Sequence, residues 1–170
     1  MSSTHHITVH ASTATLECAG KTFRCVIGKH GFSHEKSEGD GKTPLGTFPL
    51  RVVYYRADRI KKPVTGLPVQ AIRREDGWCD DPIHPAYNTP VVLPFSARHE
   101  ELWREDHAYD VVLVIGYNDA PIVAGKGSAI FMHLMQPDGR GTEGCVALSQ
   151  SDMETILSML SARSHVEIRA

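Results

Sequence analysis

Short apolar segments, many of them alternating with polar residues, run along the chain and are separated by turns rich in glycine and proline. Residues 5–10 alternate around Ile7 and Val9, which indicates a half-buried β-strand. The continuous apolar run Val111–Ile115 has the length of a fully buried strand. The pattern predicts strands at about 5–10, 13–18, 22–28, 46–55, 67–72, 89–93, 110–117, 128–134 and 164–169.

Helical periodicity is confined to two segments. Ser151 and Glu154 form a capping box at the start of a predicted helix over 151–162, and a shorter helix is predicted over 96–104. A parallel α/β architecture would need helices between its strands, so we predict a mainly β fold with minor α content. We expect a curved or barrel-like mixed sheet with one main helix near the C-terminus. The helix would bury the face formed by Met153, Ile156, Leu157 and Leu160.

We expect a single domain over residues 1–170, because this length is ordinary for one domain and the sequence contains no repeat or linker. The segment 56–109 differs from its surroundings: its periodicity is weak, and it is rich in proline, aspartate, histidine and aromatic residues. We interpret it as an ordered flap over the functional site, anchored by Trp78, Tyr87 and Trp103. A peripheral excursion packed on the core is an equally good interpretation.

The composition is that of a globular protein, with 41% hydrophobic and 22% charged residues. The net charge is −2, which argues against a nucleic-acid binder because such proteins need a strong positive field. The longest apolar run, Val111–Ile115, is too short to span a bilayer, so no membrane insertion is expected.

The 4 cysteines are too few for a disulfide scaffold, and no C-x-x-C pair indicates a structural zinc site. Cys18 and Cys25 would face each other across a hairpin that turns at 21–22. A turn centred on Gly20 is more favourable and would put them out of register. We therefore expect no disulfide here, no metal site and no cofactor.

The stretch AIFMHLMQPDGRGTEGCVALS contains the candidate chemistry. A predicted strand carries His133 near its end, and a loop rich in glycine leads to Gly144 and Cys145, followed by the predicted helix. In this arrangement the N–H groups of residues 143–145 would bind an oxyanion, and a His133 imidazolium would lower the pKa of the Cys145 thiol. A buried core cysteine and an unrelated histidine remain the alternative on spacing alone.

Two motifs, which follow each other along the chain, favour the catalytic interpretation of Cys145 and His133. Residues 39–48, GDGKTPLGTF, resemble the G-x-x-x-T-P-x-G-x-F signature of the L,D-transpeptidase family, the YkuD-type catalytic domain. His133 together with residues 142–146, TEGCV, is similar to that family's His…[Ser/Thr]-His-Gly-Cys motif. The resemblance covers about residues 7–55 and 110–169. It departs at Glu143, where a histidine is usual, at Ala147, where arginine or asparagine is usual, and at Leu134, where glycine is usual.

The resemblance implies acyl transfer on peptidoglycan stem peptides. Cys145 would attack the L-to-D bond of a donor stem, with His133 as base and Gly144 in the catalytic turn, and the thioester would pass to an acceptor amine. An L,D-carboxypeptidase or other cysteine amidohydrolase, and a catalytically silent cell-wall-binding module, remain alternatives. The resemblance implies a periplasmic monomer, although the start, MSSTHHITVH, shows no signal peptide. A cytoplasmic location or a removed targeting segment stays open.

Several neighbours of the motif are candidates for substrate binding. Arg140 would hold a carboxylate, and Glu143 would orient a positive group. Tyr117 and Asn118 end the strand beside the one that carries His133, where polar side chains often donate hydrogen bonds. Trp78, beside two aspartates, would form an acceptor face. Thr142 completes the set as the Ser/Thr of the motif; each of these residues also has a purely structural interpretation.

Overall fold

The computed structural model describes residues 4–170, and within them a strongly curved, mixed sheet of nine strands forms the body of the protein. The strands are β1 (Ile7–His10), β2 (Thr15–Cys18), β3 (Lys21–Arg24), β6 (Gly46–Tyr55), β7 (Val69–Ala71), β11 (Val111–Ile115), β12 (Phe131–Leu134), β13 (Val146–Leu148) and β14 (His165–Arg169). Their hydrogen-bonded order is β13-β12-β11-β6-β14-β1-β2-β3, with β7 paired to β6. The pairs β1–β14, β12–β13 and β6–β7 are parallel, and the others are antiparallel.

The long strand β6 curves the sheet, because its first half pairs with β14 and its second half with β11. The two ends of the strand order then meet at one point. Val26, which follows β3, forms a bridge with Ala147 of β13 through two hydrogen bonds of 2.9 and 2.8 Å. The sheet is therefore a nearly closed barrel, as the mainly β prediction expects.

Nine of the strands lie within or over the predicted segments, whereas five were not predicted. Two of these, β4 (Phe32–Ser33) and β5 (Thr43–Pro44), form a short parallel pair, in which β5 belongs to the 39–48 motif. β8 (Asp76–Cys79), β9 (Pro90–Val92) and β10 (His99–Glu101) form a separate three-stranded sheet inside the 56–109 segment, and of these only β9 was predicted. The helix predicted over 96–104 is wrong, because His99–Glu101 pairs with β8 instead.

The main helix, α1, spans Gln150–Leu157 and is shorter than predicted. It begins after Ser149, whose hydroxyl accepts the N–H of Asp152 at 3.2 Å, and not at Ser151. Strand β13 runs to Leu148, so the first residue free to cap a helix is Ser149. The helix buries its apolar face in the barrel's main hydrophobic cluster, through Met153, Ile156 and Leu157.

The hairpin between β2 and β3 turns at Ala19 and Gly20, which have φ angles of 51° and 75°. Two consecutive positive φ values are typical of a type I′ turn. This turn places Cys18 opposite Lys21, while the N–H of Cys25 donates to Ala14. Cys18 and Cys25 are therefore out of register, and the 4 cysteines of the described chain are all free.

Within residues 4–170, no helix combines the length and the apolar character that crossing a bilayer would require.

Candidate active site

The 56–109 segment packs on one face of the barrel, over the strand that carries His133. Trp78 meets the ring of Phe131 edge to face, with centroids 5.1 Å apart, and donates its indole N–H to Asn88. Trp103 stacks under Arg56 at 3.6 Å, and the buried Tyr87 donates to Glu38 at 2.7 Å. Each of the three aromatic residues predicted as anchors therefore makes a specific contact. Together with sheet residues the segment forms a second apolar cluster that includes Tyr54, Ile72, Trp78, Leu102, Ala108, Tyr109, Phe131 and Cys145.

Cys145 lies in this cluster and is 6% exposed. Its Sγ accepts the N–H of Phe131 and donates to the carbonyl of Ala129, each at 3.3 Å. The predicted junction between a loop and a helix is wrong, because strand β13 follows the cysteine directly. The parallel ladder to β12, and not a helix N-terminus, therefore positions the thiol.

Thr142 clamps the turn that precedes the cysteine. Its hydroxyl accepts the N–H of Gly144 at 3.1 Å and donates to the carbonyl of Cys145 at 2.7 Å. Gly144 was predicted to donate to an oxyanion, but its N–H is already used inside the turn. Within residues 4–170, the N–H groups of Glu143 and Cys145 donate to no protein acceptor, so they are the two that an oxyanion could use.

Gly144 itself is required by backbone geometry. Its φ is +129°, and a Cβ built on it would lie 2.8 Å from the carbonyl oxygen of Lys42, too close for any real side chain. Lys42 belongs to the 39–48 motif, so the two motifs of the sequence are in direct contact at this glycine.

His133 lies on β12 opposite Ala147, two residues beyond the position that faces Cys145, which corresponds to about 7 Å along a strand. Residues two apart on a strand share a face, so the imidazole and the thiol lie on the same side of the sheet. Nδ1 lies 2.9 Å from the carbonyl oxygen of Leu134, and the ring packs against Tyr109 with centroids 5.4 Å apart. In the described chain only Nδ1 of this ring has a hydrogen-bond partner, and in the tautomer with Nδ1–H the other nitrogen, Nε2, is the basic one.

Burial shifts the pKa values of this pair toward their neutral forms. It raises the pKa of the Cys145 thiol to about 12, with Glu100 adding to the effect, and it lowers the pKa of His133 below its ordinary value. Both shifts disfavour the predicted imidazolium–thiolate pair in this conformation.

We expect iodoacetamide to label Cys145 slowly at pH 7, with a rate that rises about tenfold per pH unit above neutrality because only the thiolate reacts. Peptide-level mass spectrometry measures this rate separately from the three other cysteines. Unfolded protein supplies the rate of an unprotected thiol. A plateau in the rate at or below pH 7 would contradict the expectation and indicate a preformed ion pair.

Two polar groups near the thiol were missed by sequence reasoning. Glu100, on β10, accepts the Tyr109 hydroxyl at 2.7 Å, and burial raises its pKa. Lys36 is 4% exposed and pairs with Asp40 at 2.7 Å, with its Nζ next to Gly144. Lysine and glutamate are ordinarily surface residues, so nothing in the local sequence marks these two as buried. The only available signal is the i, i+4 spacing of Lys36 and Asp40.

The remaining candidates occupy different environments. Arg140 is exposed and lies 3.9 Å from Asp138, and Glu143 forms an exposed ion pair with Lys29 at 2.7 Å. The side chain of Asn118 binds the backbone of Val123, so it holds its own loop. Tyr117 does the same through the carbonyl of Lys126, and Trp78 is buried with its N–H in use, so neither offers an open polar face.

Two cavities lie on the 56–109 segment. One, of about 490 Å³, is bordered by Arg74, Phe95 and His99, and the other, of about 350 Å³, by Tyr54 and Asp76. Neither is lined by Cys145 or His133. In this conformation the thiol is covered by the segment and does not open into either cavity.

Comparison with known proteins supports the same fold. Residues 4–168 match the model of the YkuD family, the L,D-transpeptidase catalytic domain. A comparison with curated proteins gave no match. The structure of the helical cell shape determining protein Pgp2 from Campylobacter jejuni is 14% identical with a TM-score of 0.52, covering 98% of this chain and 47% of that one. Bd1075 from Bdellovibrio bacteriovorus is also 14% identical, with a TM-score of 0.51 and coverages of 98% and 48%.

A third solved structure, L,D-transpeptidase 1 from Mycobacterium tuberculosis, is 12% identical with a TM-score of 0.46, covering 98% of this chain and 59% of that one. The chain spans about half the length of the Pgp2 and Bd1075 structures. At these identities the first two likenesses concern the fold, which is mainly β as the sequence predicts.

Proposed function

The chain belongs to the YkuD family of L,D-transpeptidase catalytic domains, and on that premise we propose that it is a cysteine acyltransferase acting on peptidoglycan stem peptides. One observation carries the proposal. Cys145 lies on the same sheet face as His133, whose Nδ1 is bound to Leu134 and whose Nε2 has no partner in the described chain. A nucleophile needs a base oriented by a third group, and this arrangement supplies one.

The first half-reaction forms a thioester. Sγ turns from the carbonyl of Ala129 toward Nε2 and attacks the carbonyl carbon of the L-to-D bond, while its proton passes to His133. The N–H groups of Glu143 and Cys145 stabilise the resulting oxyanion. The C–N bond then breaks, and the imidazolium returns the proton to the leaving amine.

The second half-reaction releases the acyl group. An acceptor amine attacks the thioester, His133 takes a proton from it, and the C–S bond breaks as that proton returns to Sγ. With an amine as acceptor the product is a cross-link, and with water it is a shortened stem. The same residues serve both outcomes, so access of water and amine decides the ratio.

Substrate contacts are proposed at the rim of the thiol. Arg140 and Glu143 are exposed on the loop that leads to Cys145, so they can meet a substrate carboxylate and an ammonium group. The Lys29–Glu143 ion pair is exposed and contributes little energy, so a ligand can replace either partner. The proposed setting is a periplasmic monomer, in which residues 1–170 form one catalytic domain and 56–109 its cover.

A covalent adduct on Cys145 tests the reaction class. Incubation with a carbapenem should acylate the thiol and raise the intact mass by the mass of the drug, since a β-lactam carbonyl is attacked in the same way as the peptide bond. Peptide mapping should place the adduct on Cys145, and Cys145→Ala should give none. Absence of an adduct on the folded wild-type protein, or an adduct that persists in the alanine variant, would refute the proposal.

Product analysis separates the finer alternatives. Tetrapeptide-bearing muropeptides should give cross-linked dimers if an amine is the acceptor. Shortened monomers alone would assign the protein as an L,D-carboxypeptidase. Binding to muropeptides with neither product nor adduct would support the silent wall-binding module.

A further inference from the structure

We propose that Lys36 is a positioning residue of the nucleophile, whose buried ammonium group supports the turn at Gly144 and stabilises the negative charge that forms at Cys145. This inference rests on Cys145 being the nucleophile of the proposed function. Lys36 lies outside both sequence motifs, and its long side chain is almost fully buried next to Gly144.

Two glycines make room for the lysine side chain. A Cβ on Gly127 would lie 2.9 Å from Cε of Lys36, and a Cβ on Gly144 would lie 3.1 Å from its Nζ. Both glycines have positive φ angles, 115° and 129°, and each stands shortly before a strand of the catalytic ladder, β12 or β13. The chain thus opens a channel for one long side chain, and the channel ends at the residue next to Cys145.

Asp40 anchors the charged end. Its carboxylate accepts from Nζ of Lys36 at 2.7 Å and from the N–H groups of Ser37 and Lys42 at 2.9 and 3.0 Å. These hydrogen bonds hold the pKa of Asp40 below its ordinary value despite its partial burial. Asp40 is the ion-pair partner of Nζ, and two of the three ammonium hydrogens have no acceptor within residues 4–170.

A structural role alone does not explain a charge at this place. Burying an ion pair costs more free energy than burying a well-packed apolar side chain of similar size. If Lys36 only filled space, methionine would therefore serve better. The position is instead useful for chemistry, because negative charge appears at Sγ and then at the substrate oxygen during acylation. Two groups favour the ionised form of the thiol, the N–H of Phe131 and the ammonium group of Lys36, while Glu100 and Glu143 oppose it.

The test is the pH profile of Cys145 alkylation in three variants, read by peptide-level mass spectrometry. Because the rate follows the thiolate fraction, moving a charge displaces the profile along the pH axis without changing its shape. Lys36→Met should lower the rate about tenfold at a given pH, and Lys36→Arg should restore most of it. Asp40→Asn should raise the rate, since it removes the charge that offsets the ammonium group.

The opposite signs exclude a merely structural effect, since loosening the turn would expose the thiol and change the rate in one direction for both variants. Glu35→Gln is the matched control: it removes an exposed charge next to Lys36 in the chain, one that solvent screens, so its effect on the rate should be small. The other titratable groups around the thiol stay unchanged in every variant: Glu100 and Tyr109, which interact with Cys145, and His133 on the same sheet face.

The inference fails if Lys36→Met and Asp40→Asn shift the rate in the same direction, or if Asp40→Asn leaves it unchanged. Circular dichroism and thermal unfolding establish that each variant is folded. If Lys36→Met does not fold, Asp40→Asn decides, because a slower or unchanged rate overturns the proposal. Alkylation needs no substrate, so this result is distinct from failure of carbapenem acylation, which would refute the proposed function.

Discussion

Replacement of His133 by alanine should lower the rate of Cys145 acylation by a carbapenem about 10²–10⁴-fold, the usual contribution of a general base. The effect is large because, without the imidazole, the thiol loses its proton only to hydroxide. Burial raises its pKa to about 12, and it donates to a carbonyl that cannot accept a proton. The wild-type acylation rate should increase with pH and reach half of its plateau at a pH below 6.5, the ordinary histidine pKa, since burial lowers the pKa of His133.

The variant should have a different pH dependence as well as a lower rate. Without the imidazole, acylation should keep rising about tenfold per pH unit through the alkaline range, because only thiolate formed by hydroxide can attack. Stopped-flow measurement of acylation between pH 5 and 9 compares the two profiles. The exposed His34, changed to alanine, is the control and should behave as wild type. An unaltered rate in the His133 variant would show that another group activates the thiol.

Replacement of Gly144 by alanine should destabilise the protein and lower the rate of carbapenem acylation about 10²-fold. A non-glycine residue at this φ costs about 1–3 kcal/mol, and the new Cβ would also meet the carbonyl of Lys42 at 2.8 Å. Backbone oxygen cannot move as a flexible side chain can, so the turn and with it Cys145 must shift. Displacements of about 1 Å at a nucleophile commonly cost 10²-fold in rate.

Gly139 offers a matched control on the same loop. Its φ is +68°, but a Cβ there would meet no atom within 4 Å, so Gly139→Ala introduces strain without a collision. We expect it to lose about 1 kcal/mol of unfolding free energy and to be acylated at nearly the wild-type rate. Urea denaturation and carbapenem acylation measure both effects. Equal behaviour of the two variants would mean that strain alone, and not the contact with Lys42, controls the site.

Local patterns predicted most of the barrel. Alternating apolar residues located the strands that form its wall, and the Ala19-Gly20 turn was identified because a two-residue hairpin needs positive φ angles. The wrong predictions concern segments that are too short for their own conformational preference to determine their secondary structure. Residues 146–148 form a strand because β12 on one side and Val26 on the other supply hydrogen-bond partners. Residues 99–101 do so because β8 is adjacent.

The sequence also indicated a candidate nucleophile and base, because Cys145 and His133 lie in motifs whose order along the chain is informative. Their protonation was not, since a pKa depends on burial by the distant 56–109 segment and on Glu100 within it. The sequence predicted a charged pair, whereas burial in the fold raises the pKa of Cys145 and lowers that of His133, which disfavours both charges. The sequence does not indicate which group orients His133, whereas in the structure its Nδ1 lies 2.9 Å from the carbonyl oxygen of Leu134.

The sequence by itself located most strands of the barrel along the chain, the glycines that the turns require and the residue types available for acyl transfer, because these depend on neighbours a few positions apart. Only the tertiary structure decided that Lys36 lies against Gly144, 108 positions further along the chain, and that Tyr109 packs on His133. Such contacts arise from closure of the barrel and from the packing of 56–109 on its face. Burial, charge and reactivity follow from that closure, since they depend on distance in space and not on distance along the chain.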